Sequence, residues 1–133
     1  MKNVLILEDD EIQNKILEIK LKQNDFNVIS CKDYNSAISK LYNFDYTIYF
    51  IDINLGNKKN GLDFIFQIRK RSKSLIIVTS NFELTNDLHK EASKLLGYDD
   101  YELDPIMEVE NITFYIKPLD FDQIFKLLKT TIV

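Results

Sequence analysis

The chain is predicted to fold as an α/β domain, a doubly wound five-stranded parallel sheet with helices on both faces. Three observations carry this. Five short runs rich in β-branched or aromatic residues recur at 4–7, 26–31, 47–56, 75–78 and 112–116. The segments between and after them place apolar residues at helical spacing, which is the alternation a parallel sheet with right-handed crossovers requires. No internal repeat or linker divides the 133 residues, a length suited to one domain with a single substantial core.

The first strand, 4–7, runs into the acidic turn Glu8-Asp9-Asp10-Glu11. A helix follows from Ile12 to about Asn24, with Ile12, Ile16, Ile19 and Leu17, Leu21 recurring among Lys and Glu. Asp9 or Asp10 can cap it, and acids in its first turn suit its dipole. Strand 26–31 ends at Cys31, and Asp33 then reads as the N-cap of a helix carrying Ala37, Ile38, Leu41 and Tyr42. The run 47–56 is almost uninterruptedly apolar, as befits a strand buried on both faces, and it delivers one carboxylate, Asp52. A polar loop over 54–61 leads to a helix over 62–71 with Leu62, Ile65, Phe66 and Ile68 toward the core. Strand 75–78 ends in Thr79-Ser80, and a helix over about 85–96 stops at Gly97. Strand 112–116 ends in Lys117-Pro118, and Asp120 caps a last helix carrying Phe121, Ile124, Phe125, Leu127 and Leu128.

Composition narrows the class. The chain is 45% apolar and 29% charged, ordinary for a soluble protein, and no apolar run is long enough to span a membrane. A net charge of −4 argues against direct nucleic-acid binding. A single cysteine, Cys31, excludes an internal disulfide and suits a reducing cytoplasm. The acidity is local: 98–111 holds Asp99, Asp100, Glu102, Asp104, Glu108 and Glu110 with no Lys or Arg. Elsewhere 17 basic residues face 15 acidic ones, a net of +2.

Four of the five strands end in a polar or charged group: Glu8-Asp9, Asp52, Thr79 and Lys117. In a parallel sheet these ends share one edge, where such folds bind ligands. Three carboxylates meeting there repel one another unless a cation joins them. A hard divalent ion such as Mg²⁺, or Mn²⁺, meets that need and leaves sites for phosphate oxygens, which Lys117 and the Thr79 hydroxyl can also bind. The set suits phosphoryl transfer onto a carboxylate. Neither a dinucleotide-binding glycine motif nor a P-loop is present, no Cys/His cluster offers a zinc site, and the lone His89 falls in a predicted helix as a surface residue.

The motifs Val4-Leu5-Ile6-Leu7-Glu8-Asp9-Asp10-Glu11, Ile51-Asp52-Ile53-Asn54-Leu55 with Asn60-Gly61, Ile76-Ile77-Val78-Thr79-Ser80 and Tyr115-Ile116-Lys117-Pro118 together resemble the receiver domain of bacterial response regulators. The resemblance implies a flavodoxin-like receiver fold with strand order 2-1-3-4-5. It implies Asp52 as phospho-acceptor and Mg²⁺ held by Glu8, Asp9, Asp52 and the backbone carbonyl of Asn54. Lys117 would pair with the acceptor and then the phosphoryl group, Thr79 would bind a phosphoryl oxygen, and Phe114 would be the aromatic of the switch. The Lys117–Pro118 bond is expected to be cis. The implied donor is a sensor histidine kinase or a phosphotransfer protein. The implied face for an output protein or a second copy is formed by the helix over 85–96, the strand over 112–116 and the last helix.

Three departures from that pattern stand out. The loop after Asp52 has Gly56 where proline is common and one extra residue before Gly61. No output domain is expected after the last helix, making 1–133 a single receiver domain. Thr79 and Lys117 are 38 residues apart, whereas two loops, a helix and a short strand need roughly 20–27. The excess falls on 98–111, read as an acidic insertion that is either an interaction face or a solvated loop. The leading expectation is a phosphorylatable switch. The alternatives are a phosphorylation-independent interaction module using the acidic face and, less favoured by the residues, a metal-dependent phosphatase.

Overall fold

Strands that are apolar at every consecutive position need cover on both sides, and the sheet meets that need with two separate cores. The computed structural model describes residues 2–53, 61–80 and 111–131. The predicted helix over 85–96, Asn54, and the acidic segment up to residue 110 lie outside the described residues. Within them the order is β1 (Lys2–Leu7), α1 (Glu11–Gln23), β2 (Phe26–Cys31), α2 (Tyr34–Leu41), β3 (Ile48–Asp52), α3 (Gly61–Arg69), β4 (Leu75–Ser80), β5 (Ile112–Ile116) and α4 (Phe121–Thr131). The strands form one all-parallel sheet in the order β2-β1-β3-β4-β5.

The pleat sorts each strand's side chains by parity. Leu5, Leu7, Tyr49, Ile51, Ile76 and Val78 pack with Tyr34, Ala37 and Leu41 of α2 and Phe64, Ile65 and Ile68 of α3. Val4, Ile6, Ile48, Phe50, Leu75 and Ile77 pack instead with Leu17 and Leu21 of α1 and Ile124 and Leu128 of α4. The even-numbered residues of β1 and β3 and the odd-numbered ones of β4 therefore face α1 and α4.

Capping follows side-chain chemistry. Asp10, not Asp9, is the N-cap of α1, its Oδ1 accepting from the Gln13 N–H at 3.0 Å. Asp33 Oδ1 accepts from the Ser36 N–H at 2.7 Å, and Asp120 Oδ1 from the Gln123 N–H at 3.1 Å, so both expected caps are present. The Lys117–Pro118 bond is cis.

Two helical faces differ from the sequence reading. On α1 the buried stripe is Asn14, Leu17 and Leu21, while Ile12, at 73% exposure, Ile16 and Ile19 stand in solvent. Residues 14, 17 and 21 repeat at three and four positions as well as the isoleucines do, and only the sheet decides which row faces it. On α3, Phe66, expected toward the core, is exposed, and Phe64 is buried alongside Ile65 and Ile68. This helix also ends at Arg69 rather than near 71. The Arg71 and Ser72 N–H groups turn back to the Ile68 carbonyl at 3.0 and 2.9 Å. The Arg69 guanidinium ties the following turn down by donating to the Ser72 and Ser74 carbonyls at 3.0 Å.

Candidate functional site

Glu8, Asp52, Thr79 and Lys117 each continue the row of their strand that faces α1 and α4, within one residue of its last. The parallel register then aligns them. Leu7 pairs with Ile51, Asp52 with Thr79, and Thr79 with Tyr115, two residues before Lys117. The Ile53 N–H donates to the Thr79 carbonyl at 3.2 Å, extending the ladder by one bond beyond Asp52. Glu8, Asp52 and Thr79 are buried, at 5%, 2% and 4% exposure.

Carboxylate oxygens of Glu8, Asp9 and Asp52 all lie within 4.8 Å of one another. Asp9 is the exposed member of the trio. The Lys117 ammonium, itself buried, donates to Asp52 Oδ2 at 3.2 Å and to Glu8 Oε1. The Asp10 N–H reaches the other oxygen, Glu8 Oε2, at 3.3 Å. Asp10 thus serves the turn with its backbone and the helix with its side chain.

One ammonium shared between two buried carboxylates does not neutralise the group. Burial, with the hydrogen bond and charge of Asp52, pushes the Glu8 carboxyl up to about 7, against the lowering effect of Lys117. Burial alone would lower the Lys117 ammonium, but hydrogen bonding to Glu8 and the charges of Asp52 and Glu8 outweigh it and raise it. Protonation of Glu8 is thereby favoured, and a cation beside the three carboxylates would favour their ionised forms instead. The donor set is all carboxylate oxygen, with exposed Asp9 marking the side open to solvent, which fits a hard ion such as Mg²⁺ or Mn²⁺.

A cavity of about 260 Å³ opens beside the group, and Ile6, Phe50, Pro118 and Phe121 line it together with Glu8 and Thr79. Behind the acidic turn lies a residue the sequence reading passed over. Asn14 is 4% exposed, and its Nδ2 donates to the Glu8 carbonyl at 2.9 Å and the Cys31 carbonyl at 3.1 Å. The signal was an amide in line with Leu17 and Leu21 at helical spacing. Of the remaining expected site residues, Asn54 lies outside the described residues, and Phe114 is placed by its backbone alone, in β5 opposite Val78.

A family model described as the response regulator receiver domain matches residues 4–106. Response regulator ArlR of Staphylococcus epidermidis is 30% identical over 117 residues, covering 88% of this chain and 52% of its own length. The chain thus spans about half the length of the curated relatives it matches. Among solved structures, a response regulator of Burkholderia pseudomallei with a phosphorylated aspartic acid, calcium ion and citrate superposes with a TM-score of 0.74 at 21% identity, over 98% of this chain and 68% of that one. The response regulator TrrA of Thermotoga maritima, in complex with Mg²⁺ and BeF, gives 0.73 at 18% identity over 98% of both chains. At these identities the structural likeness establishes the shared fold.

Proposed function

The chain belongs to the response regulator receiver family of two-component systems, and on that premise we propose that it is a switch phosphorylated on Asp52. The observation that carries this reading is Asp52 itself. It is a buried carboxylate at the mouth of the central strand, with two further carboxylates within 4.8 Å and an ammonium at 3.2 Å.

Glu8, Asp9 and Asp52 would hold a divalent cation, Mg²⁺ or Mn²⁺, which supplies positive charge against the phosphoryl oxygens. Asn54 would add its backbone carbonyl. The fixed geometry at the strand ends orients an Asp52 oxygen toward an incoming phosphorus. With a phosphohistidine donor, that oxygen forms the new P–O bond while the P–N bond breaks and the imidazole departs. Lys117, freed from Asp52 Oδ2 as that carboxylate is esterified, is left beside the charge that develops on the phosphoryl group. Thr79, opposite Asp52 in the ladder, would donate its hydroxyl to a phosphoryl oxygen. Later attack by water at phosphorus cleaves the P–O bond to the aspartyl oxygen and restores the carboxylate.

The phosphoryl donor in this reading is a sensor histidine kinase or a phosphotransfer protein. The altered state would pass from Thr79 to Phe114 and be read by an output protein or a second copy at the face that includes β5 and α4. Direct nucleic-acid binding is not part of this proposal. No helix among the described residues is long and apolar enough to cross a membrane, and the setting proposed is cytoplasmic.

The test is incubation with acetyl phosphate and Mg²⁺ followed by intact-mass analysis. Wild type should gain one phosphoryl group, and Asp52→Ala and EDTA-treated samples should gain none. Absence of the adduct on wild type, or equal modification of Asp52→Ala, overturns the assignment. Partner binding that survives unchanged in Asp52→Asn would favour a phosphorylation-independent interaction module instead.

A further inference from the structure

The acidic turn is held from behind by a side chain whose hydrogen bonds go to two backbone carbonyls, those of Glu8 and Cys31. We propose that Asn14 is a positioning residue, fixing the backbone of Glu8 so that the Glu8 and Asp9 carboxylates reach Asp52. The inference rests on the metal-binding, phospho-accepting reading above and deepens it.

Asparagine is a poor residue for a helix interior, and a buried amide is costly unless its polar atoms are used. Asn14 occupies the inward row of α1 with Leu17 and Leu21, where a leucine would fill space equally well. What leucine could not do is donate. Strand β1 ends at Leu7, paired with Cys31, and the Glu8 backbone completes that last pair with its N–H while its carbonyl takes a partner outside the sheet. Its N–H donates to the Cys31 carbonyl at 3.1 Å, and its carbonyl accepts from Asn14 Nδ2 at 2.9 Å. The second Asn14 hydrogen bond goes to the same Cys31 carbonyl at 3.1 Å. One amide therefore binds the ends of β1 and β2 to α1, holding the Glu8 carbonyl directly and the Cys31 carbonyl to which the Glu8 N–H also donates. The Glu8 side chain leaves this fixed backbone toward Lys117, and Asp9 is the next residue along.

Residues behind a metal site commonly change its affinity about 10–100-fold when removed, because the ligands they orient lose their preset geometry. The experiment uses the full chain as wild type, Asn14→Ala, Asn14→Leu and Leu21→Ala. Asn14→Leu keeps the inward stripe apolar and so protects the fold while removing the donor. Leu21→Ala weakens the same helix far from the turn. Two quantities are read: Mg²⁺ affinity by calorimetry, and the amide exchange rate of Glu8 in metal-free protein by NMR. Both Asn14 variants should bind Mg²⁺ at least tenfold more weakly and exchange the Glu8 amide faster. Leu21→Ala should lower Tm and leave both quantities at the wild-type level. Wild-type affinity and exchange in Asn14→Leu would overturn the positioning role while leaving the phospho-acceptor reading intact. A wild-type protein that binds no Mg²⁺ would remove that reading, and the Glu8 exchange rate would then decide the role of Asn14 alone.

Discussion

Gly61 packs against the carbonyl oxygen of Asp52 so closely that a β-carbon has no place between them. An added methyl would overlap that oxygen and come within 2.9 Å of Ile53 Cα and 2.8 Å of Ile51 Cγ2. The requirement is for space, at the point where the first residue of α3 meets the end of β3. The start of the helix is thereby seated on the backbone that carries the candidate acceptor.

Gly61→Ala should accordingly push α3 away from β3. Overpacking of this kind costs about 1–3 kcal/mol, readable as a lower midpoint in urea. The same variant should be phosphorylated more slowly by acetyl phosphate, since Asp52 moves with its carbonyl. Wild-type stability would show that the strand end yields without cost.

Asp9 and Asp10 are adjacent in sequence and opposite in predicted consequence. Asp10 caps α1 and Asp9 faces the other carboxylates. Asp10→Ala should lose about 1 kcal/mol of stability, the usual value of an N-cap, with Mg²⁺ affinity retained. Asp9→Ala should lose Mg²⁺ affinity while the metal-free protein keeps or gains stability, because one repelling charge has gone. Calorimetry with Mg²⁺ and urea unfolding in EDTA distinguish the two, and exchanged outcomes would move the metal ligand to Asp10.

Much of this site was legible because the sheet's period of two is written in the sequence. Val4 and Ile6 point to Glu8, and Ile48 and Phe50 to Asp52. Leu75 and Ile77 point to Thr79 in the same way, so the convergence of these groups required only that the strands be parallel. Three things escaped. The helical period of 3.6 let two rows on α1 qualify as the core face, one of isoleucines and one with Leu17 and Leu21, and nothing local chose between them. Asn14 was missed for the same reason, as a polar residue in the row that carried the core. The sharing of Lys117 between Glu8 and Asp52 depends on how far β5 extends beside β4, a register that no local pattern reveals.

The raised Glu8 carboxyl makes a prediction about stability and pH in metal-free protein. Its folded value is about 7, against an ordinary glutamate value of 4.5 in the unfolded chain. Between these limits the folded protein holds a proton that the unfolded chain has released, so stability falls as pH rises through the window. Below pH 4.5 both states are protonated and the penalty is absent; above pH 7 it is complete. Its size is on the order of 3 kcal/mol at most. Urea unfolding in EDTA should therefore show a decline across this range that Glu8→Gln removes. Saturating Mg²⁺ should flatten it in wild type as well, because a bound cation favours the ionised carboxylate that burial disfavours. Equal slopes for wild type and Glu8→Gln in EDTA would show that Glu8 is already ionised, with Lys117 sufficient to neutralise it.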